Sequence, residues 1–583
     1  MSLSMFKKNK NKNKEESNQP TNKSVAKEPN LVEAADINSV SKARSWVSSL
    51  PVMDMGITTR HLFLGLTKLN NEAIAPQTRV EITEVLLPYV KMAIENLDRH
   101  FLSRSFPLPD RSQKVFDLKK SLVMELAGSY QLAALDMLTK DSGSKKALLV
   151  AIGRAIQYMS LVIMNDYTIY AKNKKSIWHD IHHLYLLACE KSLQTKEVPH
   201  KDDATGENLS IEEQYKLINL IALASPNTLR QGEVLRLREF FLAILNDVKL
   251  ISNPDNVKSK YAHVALLNSD EPASLMPVAD LLNSPTSRIF DLSTVIHKID
   301  QFVTLSETDE LGKHPDWPML THSLAKRLAY VLTTIRNRRF KRFERQEKAS
   351  LVIRLGDVIN IVRDNEPESF MDQVSDDVED DNIYEALAAE DDVSSPWSEV
   401  DIEELATSKD VTIHSWQIEN SGSGGYGLRQ VVNESTTARV GELVAIKDPK
   451  DTSDLWQISV TRWMDSFKDV GLRIGLEILS LHGMTVKVDA ITSRKISQKL
   501  PLEGVLLPTI DGARDEANLI FPGYIFQVDD VLKMTLGSRE QNVRITSIDD
   551  TVGNFSYCNF EVLEDENSDE DSVEAFDEVW EFL

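Results

Sequence analysis

Cysteine is nearly absent. The 583-residue chain has two, Cys189 and Cys558, far apart in sequence. Such a pair supplies neither a disulfide framework nor a cysteine-rich zinc site, and it fits a reducing compartment. Positive charge is in deficit too: 66 Lys and Arg stand against 89 Asp and Glu, a net charge of −23. A chain this acidic repels a phosphate backbone, which argues against a general nucleic-acid binder. Long apolar runs are also missing. Crossing a bilayer takes roughly 18 apolar residues, and the best stretch, "ALLVAIGRAIQYMSLVIM", is interrupted by Arg154 and Gln157. The basic start "MSLSMFKKNKNKNKEESNQP" has no apolar run behind it and does not read as a signal peptide. The expected location is therefore cytoplasmic, with no membrane span.

Catalytic signatures are lacking as well. There is no Walker A pattern and no nucleophile elbow, and "GSGGYG" is not read as a P-loop or Rossmann turn. No acid–base or nucleophile constellation can be placed, so the chain is not expected to be an enzyme. "WHDIHHLY" puts His179, His182 and His183 at i, i+3 and i+4, a spacing that can hold a metal. No glutamate completes an HExxH, and Asp180 falls off the shared face. These histidines are expected to be partly buried helix residues, and no metal site is expected.

What is present divides the chain. Its 42% hydrophobic and 27% charged residues are ordinary for a globular protein, and its length suggests about two to four domains. Residues 1–35 are lysine- and asparagine-rich and expected to be disordered. Residues 36–335 read as an all-α bundle or solenoid. Ile82, Val85, Leu86, Tyr89, Ala93 and Leu97 fall at helical spacing, as do Leu118, Leu122, Leu126 and Tyr130. Ser210 and Glu213 have capping-box spacing, and Pro226-Asn227 reads as a stop.

The texture changes near residue 340. "KASLVIRLGDVINIV" reads as strand, and residues 364–410 form an acidic, poorly periodic insert expected to be disordered. Strand-like pieces then resume: "VTIHSWQI", "LRQVV", "ELVAIKD", "WQISVTRWM" and "LRIGLEILS". Residues 336–481 thus read as a small antiparallel β-barrel carrying the insert. Residues 482–563 repeat the texture and read as a second, barrel-like β-domain. The tail 564–583 is acidic and ends with Phe576, Val579, Trp580 and Leu583 at helical spacing, which predicts a short amphipathic helix.

Two features of the first β-region carry chemistry. Before its first strand, "IRNRRFKRFERQ" crowds Arg336, Arg338, Arg339, Lys341, Arg342 and Arg345 together. Guanidinium forks grip phosphate bidentately and stack on flat rings. Farther on, "ENSGSGGYGLR" packs four glycines into one bend, where a ligand can approach bare backbone N–H groups. Each has a plainer reading. Basic residues at a helix end offset the macrodipole, or they pair with the acidic insert. A hairpin corner in a barrel can also demand glycines.

Together, Arg338 and Arg342 as an RxxxR pair and the "NSGSGGYGL" bend resemble the PilZ domain, a bacterial β-barrel receptor for cyclic di-GMP. That family sets RxxxR on a flexible lead-in and [D/N]xSxxG on the following strand. In register with "GGYGL", the motif runs Asn420, Ser421, Gly422, Ser423, Gly424, Gly425, with Gly422 in the serine position. A shift by one restores a serine, Ser421, but places Glu419 in the acidic position. The resemblance implies that Arg338 and Arg342 hold the phosphates and stack on guanine, with Arg339 assisting. It implies that Asn420 bonds a guanine edge, that Ser421 or Ser423 replaces the lost hydroxyl, and that Gly424 and Gly425 permit close approach. Binding would wrap the lead-in around the nucleotide and draw the helical domain, the arm for an unidentified protein partner, toward the barrel. The alternative is an adaptor or scaffold whose barrel no longer binds nucleotide.

Overall fold

The computed structural model describes residues 37–100, 107–199, 208–253, 255, 257, 259–281, 286–306, 313–314, 317–334, 341–366, 411–431, 436, 438–451, 455–467, 471–492, 502–509, 516–523, 525–537, 539–550 and 555–563. The N-terminal tail, the acidic insert beyond residue 366 and the C-terminal segment with its expected helix lie outside the described residues.

The helical part opens with α1 (Val40–Ser48), α2 (Met55–Asn71), α3 (Pro76–Asp98), α4 (Asp110–Thr139), α5 (Lys145–Thr168), α6 (Ile177–Glu190), α7 (Ile211–Leu223) and α8 (Gln231–Ile244). Local chemistry starts them. The side chains of Ser39, Asp54 and Ser144 accept first-turn N–H groups of α1, α2 and α5. The capping box of α7 forms as its spacing predicts. Glu213 N donates to Ser210 Oγ (3.2 Å), and Ser210 N donates to Glu213 Oε2 (2.7 Å).

α5 explains its own composition. It is long and apolar enough to cross a bilayer, yet it runs through the middle of the bundle against α3, α4, α6, α7 and α8. Arg154, which breaks its apolar run, is fully enclosed. Its Nε lies 3.2 Å from Glu84 Oε1, which also accepts from Tyr130 Oη at 2.7 Å. Of the α6 histidines only His182 is a packing group, buried between Glu271 O and Tyr215 Oη, each at 2.8 Å; His179 and His183 are exposed, which corrects the expectation that all three are partly buried. Among the described residues, no three His, Cys, Asp or Glu side chains converge as metal ligands would.

The expectation that residues 36–335 are all helical needs correction. After α8 come β1 (Lys249–Ile251), β2 (Tyr261–Leu266), β3 (Ser274–Pro277) and β4 (Ser287–Asp291), an antiparallel sheet in the order β1-β4-β2-β3. Its strands are three to six residues long and separated by polar turns, so no period of two develops. Then follow α9 (Ser293–Ser306), the two-strand pair β5 (Lys313–His314) and β6 (Trp317–Thr321), and α10 (His322–Thr333). Phe290, Val295, Ile299, Leu324 and Leu328 join the core of the helices, so this segment is packed onto the bundle.

The first barrel contains β7 (Phe343–Glu344), β8 (Lys348–Ile353), β9 (His414–Gly422), β10 (Gly425–Gln430), β11 (Leu443–Lys447), β12 (Gln457–Phe467) and β13 (Gly471–Ser480), with α11 (Leu355–Arg363) after β8. Six strands close in the ring β8-β9-β10-β13-β12-β11, and β7 adds to the edge of β9. The reading of "KASLVIRLGDVINIV" as one strand is corrected: β8 ends at Ile353, Arg354 takes φ +91°, and "LGDVINIVR" is helix. Its β-branched residues serve a helical stripe, with Leu355, Val358, Ile359 and Val362 buried. The second barrel is β14 (Met484–Thr492), β15 (Leu502–Leu507), β16 (Asn518–Pro522), β17 (Val531–Leu536), β18 (Arg539–Asp550) and β19 (Phe555–Val562), closed as β14-β15-β16-β19-β18-β17.

Interfaces tie these parts together. The α11 stripe shares one apolar core with Val460 of the first barrel and Val505, Ile520 and Phe555 of the second. Phe116, Ile169 and Tyr170 from the helical side enter the core of the first barrel. Ser466 N donates to Tyr170 O (2.8 Å), Tyr170 Oη to Leu229 O (2.8 Å) and Arg230 Nε to Val440 O (3.3 Å).

Candidate functional site

The glycine bend is the β9–β10 hairpin. Gly422 faces Gly425 across a tight turn of Ser423 and Gly424. Much of its glycine content serves the barrel's own backbone. Gly425 has φ +151°, and a Cβ there would come within 1.9 Å of Leu476 O on β13. A Cβ at Gly422 would come within 2.6 Å of Lys341 O. That contact gives a spatial reason for glycine where the PilZ motif has serine: the lead-in backbone occupies the space a side chain would take.

A bulge then sorts the faces. The register steps from Asn420↔Gly427 to Ile418↔Leu428, so Glu419 and Asn420 both stand opposite Gly427. Tyr426, Leu428, Ile474, Leu476 and Met464 point into the barrel core. Their alternating neighbours therefore point outward. One outward row runs directly across four strands: Asn420, Gly427, Gly475, Trp463. Asn420 leans over Gly427, whose added Cβ would lie 2.7 Å from Asn420 Oδ1. Trp463 covers Gly475 in the same way, with Nε1 at 1.8 Å from such a Cβ.

The lead-in reaches this row. β7 pairs with β9 through Phe343↔Ser421 and Glu344↔Asn420. Arg342, exposed, donates from Nη1 to Asn420 Oδ1 at 2.9 Å. Arginine and bend, 78 residues apart in sequence, thus meet on one face of the barrel. Ser421 turns the other way, toward Arg345 (Nη1 to Oγ, 3.4 Å). Ser423 is exposed at the turn and Gly424 is half-buried beside it. Arg338 and Arg339 lie outside the described residues.

Arg345 belongs to the same basic cluster in sequence but does different work. Its fork grips Asp448 bidentately, Nη1–Oδ2 at 2.5 Å and Nη2–Oδ1 at 2.8 Å, and its Nε reaches Glu347 Oε2 at 3.0 Å. Tyr426 Oη also lies 3.2 Å from Asp448 Oδ2. The Asp448 hydrogen bonds hold the Arg345 guanidinium even more firmly charged than usual. Burial pushes the Asp448 carboxyl up, but the Arg345 bonds outweigh it and keep it below the ordinary carboxylate value. Arg345 is a strut across the barrel mouth.

Sequence reasoning missed the outward neighbours Arg429 and Arg473. They stand directly opposite each other on β10 and β13 and converge on Glu419. Strand pairing creates that cluster, and nothing in a linear motif marks it. The glycines in "GYGL" and "RIGLEI" were the visible signal that two neighbouring strands carry no side chain of their own at one outer row, where Asn420 and Trp463 lie over them.

With this geometry established, the comparisons with known proteins are specific. Three family models match in order: the N-terminal domain of the cyclic-di-GMP receptor FimW over residues 41–255, its middle PilZ domain over 263–484, and the FimW C-terminal β-barrel domain over 488–563. The middle-domain match begins in β2, ahead of the barrel itself. The chain is also similar to the cyclic-di-GMP receptor FimW of Pseudomonas aeruginosa, at 22% identity over 592 residues that cover 92% of this chain and 95% of that protein. No solved structure matches. From residue 41 to residue 563 the matched segments follow one another in a single order, and the chain belongs to the FimW family of cyclic-di-GMP receptors, with an N-terminal domain, a middle PilZ domain and a C-terminal β-barrel.

Proposed function

We propose that this chain is a cytoplasmic, non-catalytic receptor that binds cyclic di-GMP on the outer face of its first barrel. Arg338 and Arg342, with Arg339 beside them, hold the phosphates and stack on guanine. Asn420 bonds a purine edge, and the bend from Ser421 through Gly422, Ser423 and Gly424 to Gly425 brings backbone close to the ligand. The observation that carries this reading is the Arg342–Asn420 contact, which places the two halves of the motif side by side.

Occupancy has a path to the helical region in this proposal. The lead-in arginines follow α10 after a few residues. Arg327 of α10 pairs with the enclosed Glu233 of α8, and its neighbour Arg230 donates to Val440 O on the barrel. A lead-in that wraps the nucleotide therefore pulls on a helix already anchored near the barrel, and the output is a changed affinity for a protein partner. The adaptor reading has one observation in its favour: Gly425 is required by its backbone conformation and a backbone contact alone.

Calorimetric titration of the full chain with cyclic di-GMP separates the two. Saturable binding is expected. Arg342→Ala should weaken it about 10- to 100-fold, the worth of a charge-assisted hydrogen bond, and Arg338→Ala combined with Arg342→Ala should abolish it. No heat from the wild-type chain at high micromolar nucleotide would leave the adaptor reading.

A further inference from the structure

Arg429 and Arg473 are directly paired on neighbouring strands. Sheets avoid like charges in that position, because side chains directly opposite lie about 5 Å apart and repel. An anion between them removes the conflict, and here it is Glu419. Arg473 places Nη2 2.6 Å and Nε 2.7 Å from Glu419 Oε2, and Arg429 Nε lies 3.5 Å from Oε1. Gln417 steadies Arg429 through a 2.5 Å bond to Nη2. All three charged side chains are roughly a quarter to a third exposed, so solvent and solutes reach them.

The place of this group matters. Glu419 is the bulge residue next to Asn420, and Arg429 and Arg473 each stand two positions along their strands from Gly427 and Gly475. The guanidiniums therefore flank the middle of the outward row, one end of which holds Asn420 with Arg342 beside it, while Asn420 and Trp463 lie over its two glycines. From β9 to β13 is two strand spacings, so the Cα atoms of Asn420 and Arg473 are about 12 Å apart. Lys172, from the connection after α5, adds a third cation. Its Nζ lies 5.0 Å from the Phe467 ring, over which Arg473 also sits at 5.6 Å. Asp465, opposite Arg473 on β12, has its carboxyl pushed up by burial, while Arg473 and Lys172 act to lower it.

We propose that Arg429 and Arg473 form a second anion-binding wall of the nucleotide site, occupied without ligand by the Glu419 carboxylate, which a phosphate of the cyclic dinucleotide displaces. The inference deepens the receptor reading and rests on it. A cyclic dinucleotide carries phosphates on two sides of one ring, and Arg342 with the lead-in accounts for one side only. Exchanging one anion for another leaves the paired arginines neutralised throughout, so the displacement is undemanding. Glu419 then acts as an internal competitor that sets the threshold for binding.

The test is calorimetry of the full chain with cyclic di-GMP, with thermal unfolding recorded for every variant. Glu419→Gln should bind three- to tenfold tighter, because the competitor's charge is gone. Arg473→Gln should bind about tenfold weaker, and Arg473→Lys, which keeps charge but loses the fork, should fall between it and wild type. A folded Glu419→Gln protein that binds no tighter than wild type overturns the proposal. An Arg473→Gln protein that binds like wild type overturns it independently of any Glu419 variant. If wild type does not bind at all, the receptor reading fails and takes this one with it. Wild-type binding with both variants unchanged removes the second wall alone.

Discussion

Alanine at Gly425 is expected to cost the first barrel its native hairpin. Two penalties fall on the same atom. At φ +151° the backbone is in a region that a residue with a Cβ rarely adopts. The added methyl would also sit 1.9 Å from the Leu476 carbonyl oxygen. That oxygen is backbone of β13, which pairs with both β10 and β12 in the closed ring, so it cannot swing aside as a side-chain tip would. Relief requires breaking β10–β13 pairing. The expected loss is roughly 4 kcal/mol or more, read as a large fall in the melting temperature of the full chain. Gly422→Ala is the informative contrast. Its clash is with Lys341 O on the exposed lead-in, which can lift away, so the barrel should melt near the wild-type temperature. Similar losses for both variants would contradict this account of the bend.

Arg345 and Arg342, three residues apart in one basic cluster, are expected to fail in different ways. The side chain of Arg345 is 9% exposed and that of Asp448 7%. Among the described residues, Arg345→Ala leaves a nearly enclosed carboxylate whose remaining hydrogen-bond partners are the Tyr426 hydroxyl and the Lys450 N–H. Breaking such a pair by removing one member should cost about 3 kcal/mol, the lower end for an enclosed ion pair. The variant should lose stability first and nucleotide binding only as the mouth of the barrel loosens. Arg342→Ala should leave the melting temperature within about 0.5 kcal/mol equivalent of wild type, as exposed positions do, while binding falls. If Arg345→Ala melts like wild type, the strut role assigned to it is wrong.

The asymmetry within that cluster shows what the sequence could and could not disclose. "WQISVTRWM" and "LRIGLEILS" were legible as strands and form as read: Leu472, Ile474 and Leu476 face the first-barrel core, and Ile458 and Val460 pack into the core shared with α11. The Ser210–Glu213 box was legible because its geometry is local. The β1–β4 sheet was not, because strands this short carry no periodicity of their own and are held by the packing of their own Ala265 and Phe290 into the helical core. "LGDVINIV" misled because β-branched residues favour strands unless a flanking surface rewards a helical stripe, and that surface is supplied by two barrels. In the site, the Arg342–Asn420 meeting was anticipated from the paired motifs. The partners of Arg345 and the convergence on Glu419 were not, since they depend on strand register and on a bulge that flips the face of Ser421.

The central claim is that the lead-in and the bend are two sides of one nucleotide site. Hydrogen–deuterium exchange of the full chain, with and without saturating cyclic di-GMP, tests it most directly. The account predicts that nucleotide slows exchange together in residues 341–345 and in the turn from Ser421 to Gly425. Protection of only one of these segments, or a saturable ligand effect confined to other parts of the chain, would contradict it.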